Sequence, residues 1–325
     1  MRNFRNDRRG NPAAHRPMHQ PGRRLPPRPI AQTDEAERKF YAGVAVDPTP
    51  RILLEKGSSE LTMRAMDLIC PIGMGQRGLI VAPPGSGKTT FLKHICNAVA
   101  KGYPEIKLYC LLVNERPEEV TDFKRTTPAE VRSSSSDETY ENHIRIADGL
   151  MKQAYREAGE GQHVMIVIDS LTRLSRVHNA DRPSSGRTLS GGVDARALEV
   201  PRRIFGSARK IENGGSLTML ATILVQTGSR MDDVIFEEFK GTGNMEIVLS
   251  REISDRRIFP AIDIPKSATR KEERLLEPPE LEKVRKLRRV LMELGTVDAA
   301  RTLVEQLQKY KSNKEFLDAI KVTTK

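Results

Sequence analysis

Beyond Tyr41, short unbroken apolar runs alternate along the chain with longer stretches whose apolar positions recur every three or four residues. The runs are RGLIVA (Arg77 to Ala82), KLYCLLV (Lys107 to Val113), HVMIVID (His163 to Asp169), SLTMLATIL (Ser216 to Leu224) and NMEIVLS (Asn244 to Ser250). Runs of this length predict strands buried on both faces. Helical periodicity over about 88–100, 138–157 and 196–211 lies between them. The alternation predicts an α/β fold, a mainly parallel sheet covered by helices.

After residue 277 the pattern turns wholly helical. Pro279 opens a segment with Leu281, Val284, Leu287, Leu291 and Leu294 on one side, and Gly295 closes it. A second helix is predicted from about Val297, and Ser312 to Glu315 (SNKE) has the capping-box pattern that starts a third. Residues 278–325 therefore read as a small helical subdomain on an α/β core of residues 42–277. Residues 1–41 break the pattern: they repeat Pro, carry little apolar content and show no period, so they read as a disordered basic arm. Their lack of serine and of amphipathic periodicity sets them apart from an organelle transit peptide.

Charge sharpens that division. The first 40 residues hold ten Arg and Lys against four acids, a net +6 of the chain's +11. Such an excess in an Arg/Pro-rich segment suits a polyanion, RNA or DNA, and equally a solubilising tail. No run approaches the roughly 20 apolar residues of a membrane span, and the first residues have no apolar signal core. A soluble, cytoplasmic protein without membrane association is expected. Cys70, Cys96 and Cys110 are odd in number, sit in apolar runs and lack metal-ligand spacing, which makes them reduced core residues.

Candidate chemistry begins at LIVAPPGSGKTT, where a strand runs into a glycine turn and then a helix. That context makes a phosphate loop, with Ala82 replacing its usual first glycine. The amides of Gly85, Ser86, Gly87, Lys88 and Thr89 can converge on phosphate oxygens, Lys88 can span the β- and γ-phosphates, and the Thr89 hydroxyl can ligate Mg²⁺. Asp169 ends a buried strand, where a carboxylate can hold the metal's water shell. Glu115 ends another and can orient or deprotonate the attacking water, with Glu118 and Glu119 as competitors unless Pro117 starts a helix and makes them first-turn acids. GMGQRG also satisfies the G-x-G-x-x-G dinucleotide fingerprint, but its glycines precede the strand where that fold needs them after it. The ensemble predicts ATP hydrolysis with Mg²⁺.

PIGMGQRGLIVAPPGSGKT, NERPEEV, IDSLTRLSR, SGGVDARAL, QTGSRMDDVIFEEFKGTGNME and RRIFPAIDIPKSATRKEE together resemble the motor domain of the bacterial transcription termination factor Rho family, from about Val46 to the C-terminus. The resemblance implies a RecA-like P-loop ATPase core, an RNA-dependent ATPase and a homohexameric ring that threads single-stranded RNA to terminate transcription at an RNA polymerase elongation complex. It implies that Gly73, Met74, Gly75, Gln76, Arg77 and Gly78, and Gly85 through Thr90, contact ATP, that Glu115 is the catalytic base, and that Arg116 serves the nucleotide site. Phe259 matches the aromatic that stacks on adenine. Arg270 matches an arginine finger reaching into the neighbouring subunit's site, with Arg257 in support. From the residues alone, Arg270 would pair with Glu272 or Glu273.

Two stretches match the family's RNA-gripping pore loops: SSGRTLSGGVDAR, with Arg187, Thr188, Ser190, Gly191 and Gly192, and QTGSRMDD, with Gly228, Ser229 and Arg230. Arg187 and Arg230 stand where lysine is usual, which keeps the charge but turns a point cation into a planar fork. Gly85 stands where the phosphate loop usually has a lysine, and Asn114 where an acid usually precedes the base. The family's N-terminal RNA-binding barrel, whose aromatics stack on bases, is expected to have no counterpart before the motor, with weak, salt-sensitive loading on the arm in its place. Two other readings stay open on the sequence: a nucleotide-gated regulatory RNA-binding ring without termination activity, and a related hexameric ATPase that moves protein.

Overall fold

The structure is a computed structural model that describes residues 35–181, 190–194 and 196–320. Arg187, Thr188 and the arm up to residue 34 lie outside the described residues. The first element, helix α1 (Glu35–Ala42), falls inside the stretch expected to be disordered arm, which corrects that boundary. Its Phe40 is fully buried and stacks on Tyr155 at 5.1 Å, while the Arg209 guanidinium lies 5.1 Å from the Phe40 ring and 4.8 Å from the Tyr41 ring. Two adjacent aromatics supply enough apolar surface and cation–π contact to anchor a two-turn helix.

Strands β1 (Ala45–Val46) and β2 (Arg51–Ile52) and helix α2 (Leu61–Ile69) lead to β3 (Ile72–Gly73). Then come β4 (Arg77–Ala82), α3 (Lys88–Gly102), β5 (Lys107–Glu115), α4 (Pro117–Thr126), β6 (Glu130–Ser135), α5 (Tyr140–Gly159) and β7 (His163–Asp169). Helix α6 (Leu171–Asp181), α7 (Glu199–Gly206), β8 (Arg209–Ile211), β9 (Ser216–Leu224), α8 (Arg230–Phe239), β10 (Met245–Val248), α9 (Arg251–Asp255) and β11 (Ala268–Thr269) complete the α/β part. The helix expected over 196–211 is therefore shorter, because residues 209–211 form a strand, with Arg209 and Lys210 pairing antiparallel with β9 and Lys210 and Ile211 with β1.

The main sheet has the order β11-β10-β4-β9-β7-β5-β6, with β8 added beside β9 and β1 beside β8. From β10 to β6 every pairing is parallel. Alternate residues of each strand enter opposite cores: Ile80, Cys110 and Val167 pack with α2 and α3, while Leu79, Leu111 and Ile168 pack with α5 and α6. Burial on both faces is why these strands read as unbroken apolar runs. All three cysteines are free and buried, and burial pushes the Cys70 thiol up to about 12.

Helices α10 (Pro278–Met292), α11 (Thr296–Lys309) and α12 (Asn313–Ala319) follow, and the Ser312 hydroxyl accepts from the Glu315 amide as the capping pattern predicts. They do not form a separate core. Val284, Leu291, Leu303 and Phe316 join the same apolar cluster as Ile69 and Cys96. Buried Arg64 on α2 ties them down, donating to the Leu307 carbonyl at 2.8 Å and the Tyr310 carbonyl at 2.7 Å while pairing with Glu55 at 3.2 Å. Arg64→Leu leaves those carbonyls and Glu55 without their cation, so it should cost about 3 kcal/mol in urea unfolding.

Candidate nucleotide site and loop face

The parallel strands β4, β5, β7 and β9 deliver their carboxyl ends to one rim, where ligands of such sheets bind. From β4 the chain turns through Pro83 to Gly87 into the 15-residue helix α3. Gly85 and Gly87 take φ of +78° and +85°, left-handed conformations that strain any side chain. The Ser86 hydroxyl donates to the Pro83 carbonyl at 2.8 Å, and the Ser254 hydroxyl of α9 donates to the Gly85 carbonyl at 3.3 Å. The turn is thus held from within and from α9, with the amino end of α3 as the anion-binding element.

Lys88 starts that helix and reaches across the rim. Its Nζ donates to both carboxylate oxygens of Asp169 and lies 3.9 Å from Glu115 Oε1. Asp169 also accepts from the Thr222 hydroxyl at 2.7 Å, so β9 braces the β7 carboxylate. Thr89, next along α3, is half-buried. Glu115 is 2% exposed, whereas Glu118 is exposed and Glu119 half-buried in the first turn of α4, which does begin at Pro117. Of the three competing acids only Glu115 faces Lys88.

The environment of Glu115 is unusual. Arg173 Nε lies 2.7 Å from Oε1, close enough for an ion pair, yet neither Glu115 oxygen has an aligned hydrogen-bond donor. Arg173 is held in place by its own bond to the Asn114 carbonyl at 2.8 Å. Burial pushes the Glu115 carboxyl up to about 7, helped by the charge of Asp169 and opposed by Lys88 and Arg173. A carboxyl that titrates near neutrality, with free lone pairs beside a phosphate-binding lysine, is matched to taking a proton from water. Arg116 caps α4 with its side chain exposed at the same rim, 3.9 Å from Glu119.

Beside the phosphate loop, Thr62, Gly87, Thr90, His94, Phe259 and Pro260 line a largely apolar pocket. The Phe259 ring stands over Gly87, where an added Cβ would meet its Cε1 at 3.6 Å. Phe259 is 46% exposed, and a large aromatic left open beside a phosphate loop is available for stacking. Arg257 is exposed two residues earlier.

Gly73 to Gly78 stand away from this chain's own phosphate loop. Gly73 to Gln76 precede β4, which Arg77 and Gly78 open, so the whole strand, about 20 Å at 3.3 Å per residue, separates Gly73 to Gln76 from the phosphate loop. Gly73, Met74, Gly75 and Gln76 are buried in protein contacts: Gly75 donates to the Thr218 hydroxyl at 2.8 Å and Gln76 to the Asn244 side chain at 2.6 Å. Arg270 follows β11 at that same far end, its amide bonded to the Asn244 carbonyl at 2.9 Å. Its side chain forms no ion pair with Glu272 or Glu273, which lie 3.4 Å and 4.0 Å from Arg285 instead. The guanidinium is exposed and remote from its own phosphate loop.

The described parts of the two loop segments do meet. Gly191 packs so closely on the start of α8 that a Cβ would lie 2.7 Å from the Arg230 carbonyl. Gly228, Ser190, Gly192 and Arg230 are exposed there, and Ser229 precedes the first turn of α8. Beneath them Asp232, fully buried, accepts two bonds from Arg176, at 2.8 Å and 2.5 Å, and one from the Thr227 hydroxyl at 2.6 Å. IDSLTRLSR also carries Arg173 and Arg176, to which the sequence alone assigns no role. Their spacing was the available signal: three residues apart on a helix that begins two residues after Asp169, they share a face.

A phosphate loop at the rim of a parallel sheet, with a lysine spanning two carboxylates, defines a P-loop ATPase fold. Residues 62–269 match the nucleotide-binding domain of the ATP synthase alpha/beta family. An ATPase from the type III secretion system of pathogenic bacteria superposes with a TM-score of 0.66 at 24% identity, over 84% of each chain. Transcription termination factor Rho of Cereibacter sphaeroides is 53% identical over 257 residues, 79% of this chain and 61% of the relative. Rho of Haemophilus influenzae is 50% identical over 83% of this chain and 65% of its own length, and Rho 1 of Ehrlichia chaffeensis 50% over 88% and 70%. The chain belongs to the transcription termination factor Rho family, and it spans 61% to 65% of the length of the first two of these relatives. Among the described residues no helix is long and apolar enough to cross a membrane.

Proposed function

We propose that the protein is an ATP-hydrolysing RNA translocase of the Rho type, acting in the cytoplasm as a homohexameric ring that draws single-stranded RNA away from an RNA polymerase elongation complex. The observation that carries the ATPase reading is buried Glu115, its oxygens without aligned donors, beside Lys88 and Arg173. Water attacking the γ-phosphorus gives its proton to Glu115, the bond to the β,γ-bridging oxygen breaks, and ADP and phosphate leave. Lys88 and the amides at the start of α3 hold the phosphates, and Phe259 holds the base.

Mg²⁺ fits the residues present. Thr89 supplies a hydroxyl at the first turn of α3, and Asp169 a nearly buried carboxylate steadied by Thr222. Among the described residues no cluster of three acidic, His or Cys side chains offers an all-protein cage, which agrees with a hard cation held mainly by phosphates and water. Bound there, the ion would neutralise charge on the phosphates.

In this reading Gly191 and Arg230 belong to one RNA-gripping surface, with Arg187 and Thr188 from the neighbouring segment. Small polar groups, amides and arginines grip a sugar-phosphate backbone without reading bases. The Arg176–Asp232–Thr227 contacts connect that surface to α6, whose Arg173 touches Glu115. Homopolymeric RNA should raise steady-state ATP turnover of the assembled ring by tenfold or more. A turnover that no single-stranded RNA changes rules the translocase out.

A further inference from the structure

We infer that His94 is a base-reading residue, donating from Nε2 to an unprotonated ring nitrogen of a purine seated on Phe259. The inference rests on the nucleotide-site reading above and adds a specificity determinant to it. His94 lies one helical turn beyond Thr90 on α3, on the face that also carries Gly87, and it forms part of the wall of the pocket under Phe259. The ring's Nδ1 is sealed inside the protein with no hydrogen-bond partner.

That burial selects a tautomer. A neutral imidazole carries one proton, and a proton on Nδ1 would make it a buried donor with nothing to bond, a rare and costly arrangement. On this inference the proton sits on Nε2, which makes His94 a donor in the wall of the pocket. The rest of the lining is mostly apolar, with Thr62, Ser86 and Thr90 as the other polar side chains and the Ser86 hydroxyl already bonded to Pro83, the pattern of a site that encloses a flat ring and fixes its orientation through a few contacts. A purine supplies acceptors of the required kind at N1, N3 and N7. Which of them meets His94 is read by experiment.

The test measures equilibrium binding of ATP and of its 1-deaza, 3-deaza and 7-deaza analogues, in which CH replaces one ring nitrogen, to the full chain. One analogue should bind wild type about tenfold more weakly than ATP, the loss expected for one hydrogen bond in an enclosed site. His94→Leu should weaken ATP by a similar factor and bind that analogue and ATP equally. His94→Phe, closer in shape, replaces it if the leucine variant does not fold. Three analogues that bind wild type as well as ATP does, or a penalty that persists without His94, overturn the inference. Lys88→Ala separates the two readings: if it leaves ATP binding unchanged, the nucleotide site itself is misplaced and the role of His94 falls with it.

Discussion

Glu115→Gln should lower ATP turnover about 10²- to 10⁴-fold, the range over which a positioned general base contributes, and leave nucleotide binding within a few-fold of wild type. Glutamine keeps the shape of the protonated carboxyl and removes only its capacity to accept a proton. The carboxyl titrates near 7 because burial opposes its charge and Asp169 repels it. Only the ionised form accepts a proton, so kcat/KM of the wild type should fall tenfold per unit below about pH 7 and level off above it. The glutamine variant should lack that limb. Arg173 and Lys88 act the other way, favouring the charged form. Arg173→Ala should therefore move the limb to higher pH, a shift that simple loss of packing does not produce. Turnover of Glu115→Gln within threefold of wild type would return the role to Glu118 or Glu119.

Much of this rim was legible in the sequence because each part is local. A strand, a glycine turn and a helix are contiguous from Arg77 to Gly102, and Asp169 and Glu115 each end an apolar run that spells a buried strand. What was missed depends on contacts between distant segments. Thr222 braces Asp169 only because β9 lies beside β7, and Arg64 holds the C-terminal helices across more than 240 residues. The place of the Gly73 to Gly78 segment is hidden for a related reason: it is near the phosphate loop along the chain, yet a strand carries its two ends apart. Phe40 was assigned to the arm because eight residues of helix are too few to stand out by periodicity, and only Tyr155 and Arg209 give that helix a place to bind.

Arg270→Ala should lower ATP turnover about 10³- to 10⁵-fold, the usual worth of an arginine finger, while leaving ATP binding and the fold intact. In the proposed ring such a finger acts on another copy. β11 pairs with the amino end of β10, at the same level as Gly78, whereas the phosphate loop leaves the carboxyl end of β4. Arg270 is exposed, Glu272 and Glu273 lie by Arg285, and Glu246 is the carboxylate that feels its charge, so the guanidinium can reach a partner's phosphates. Asn244 binds both the Arg270 amide and the Gln76 side chain, so a neighbour's nucleotide that met Arg270 would also approach the Gly73 to Gly78 turn. Mixing Arg270→Ala with Lys88→Ala chains separates a shared site from an internal one. Each variant alone should be inactive, but in a mixed ring some interfaces pair an intact Lys88 with an intact Arg270, and turnover should reappear in proportion to them. A mixture that stays inactive after subunit exchange, or an Arg270→Ala ring with wild-type turnover, removes the shared-site model.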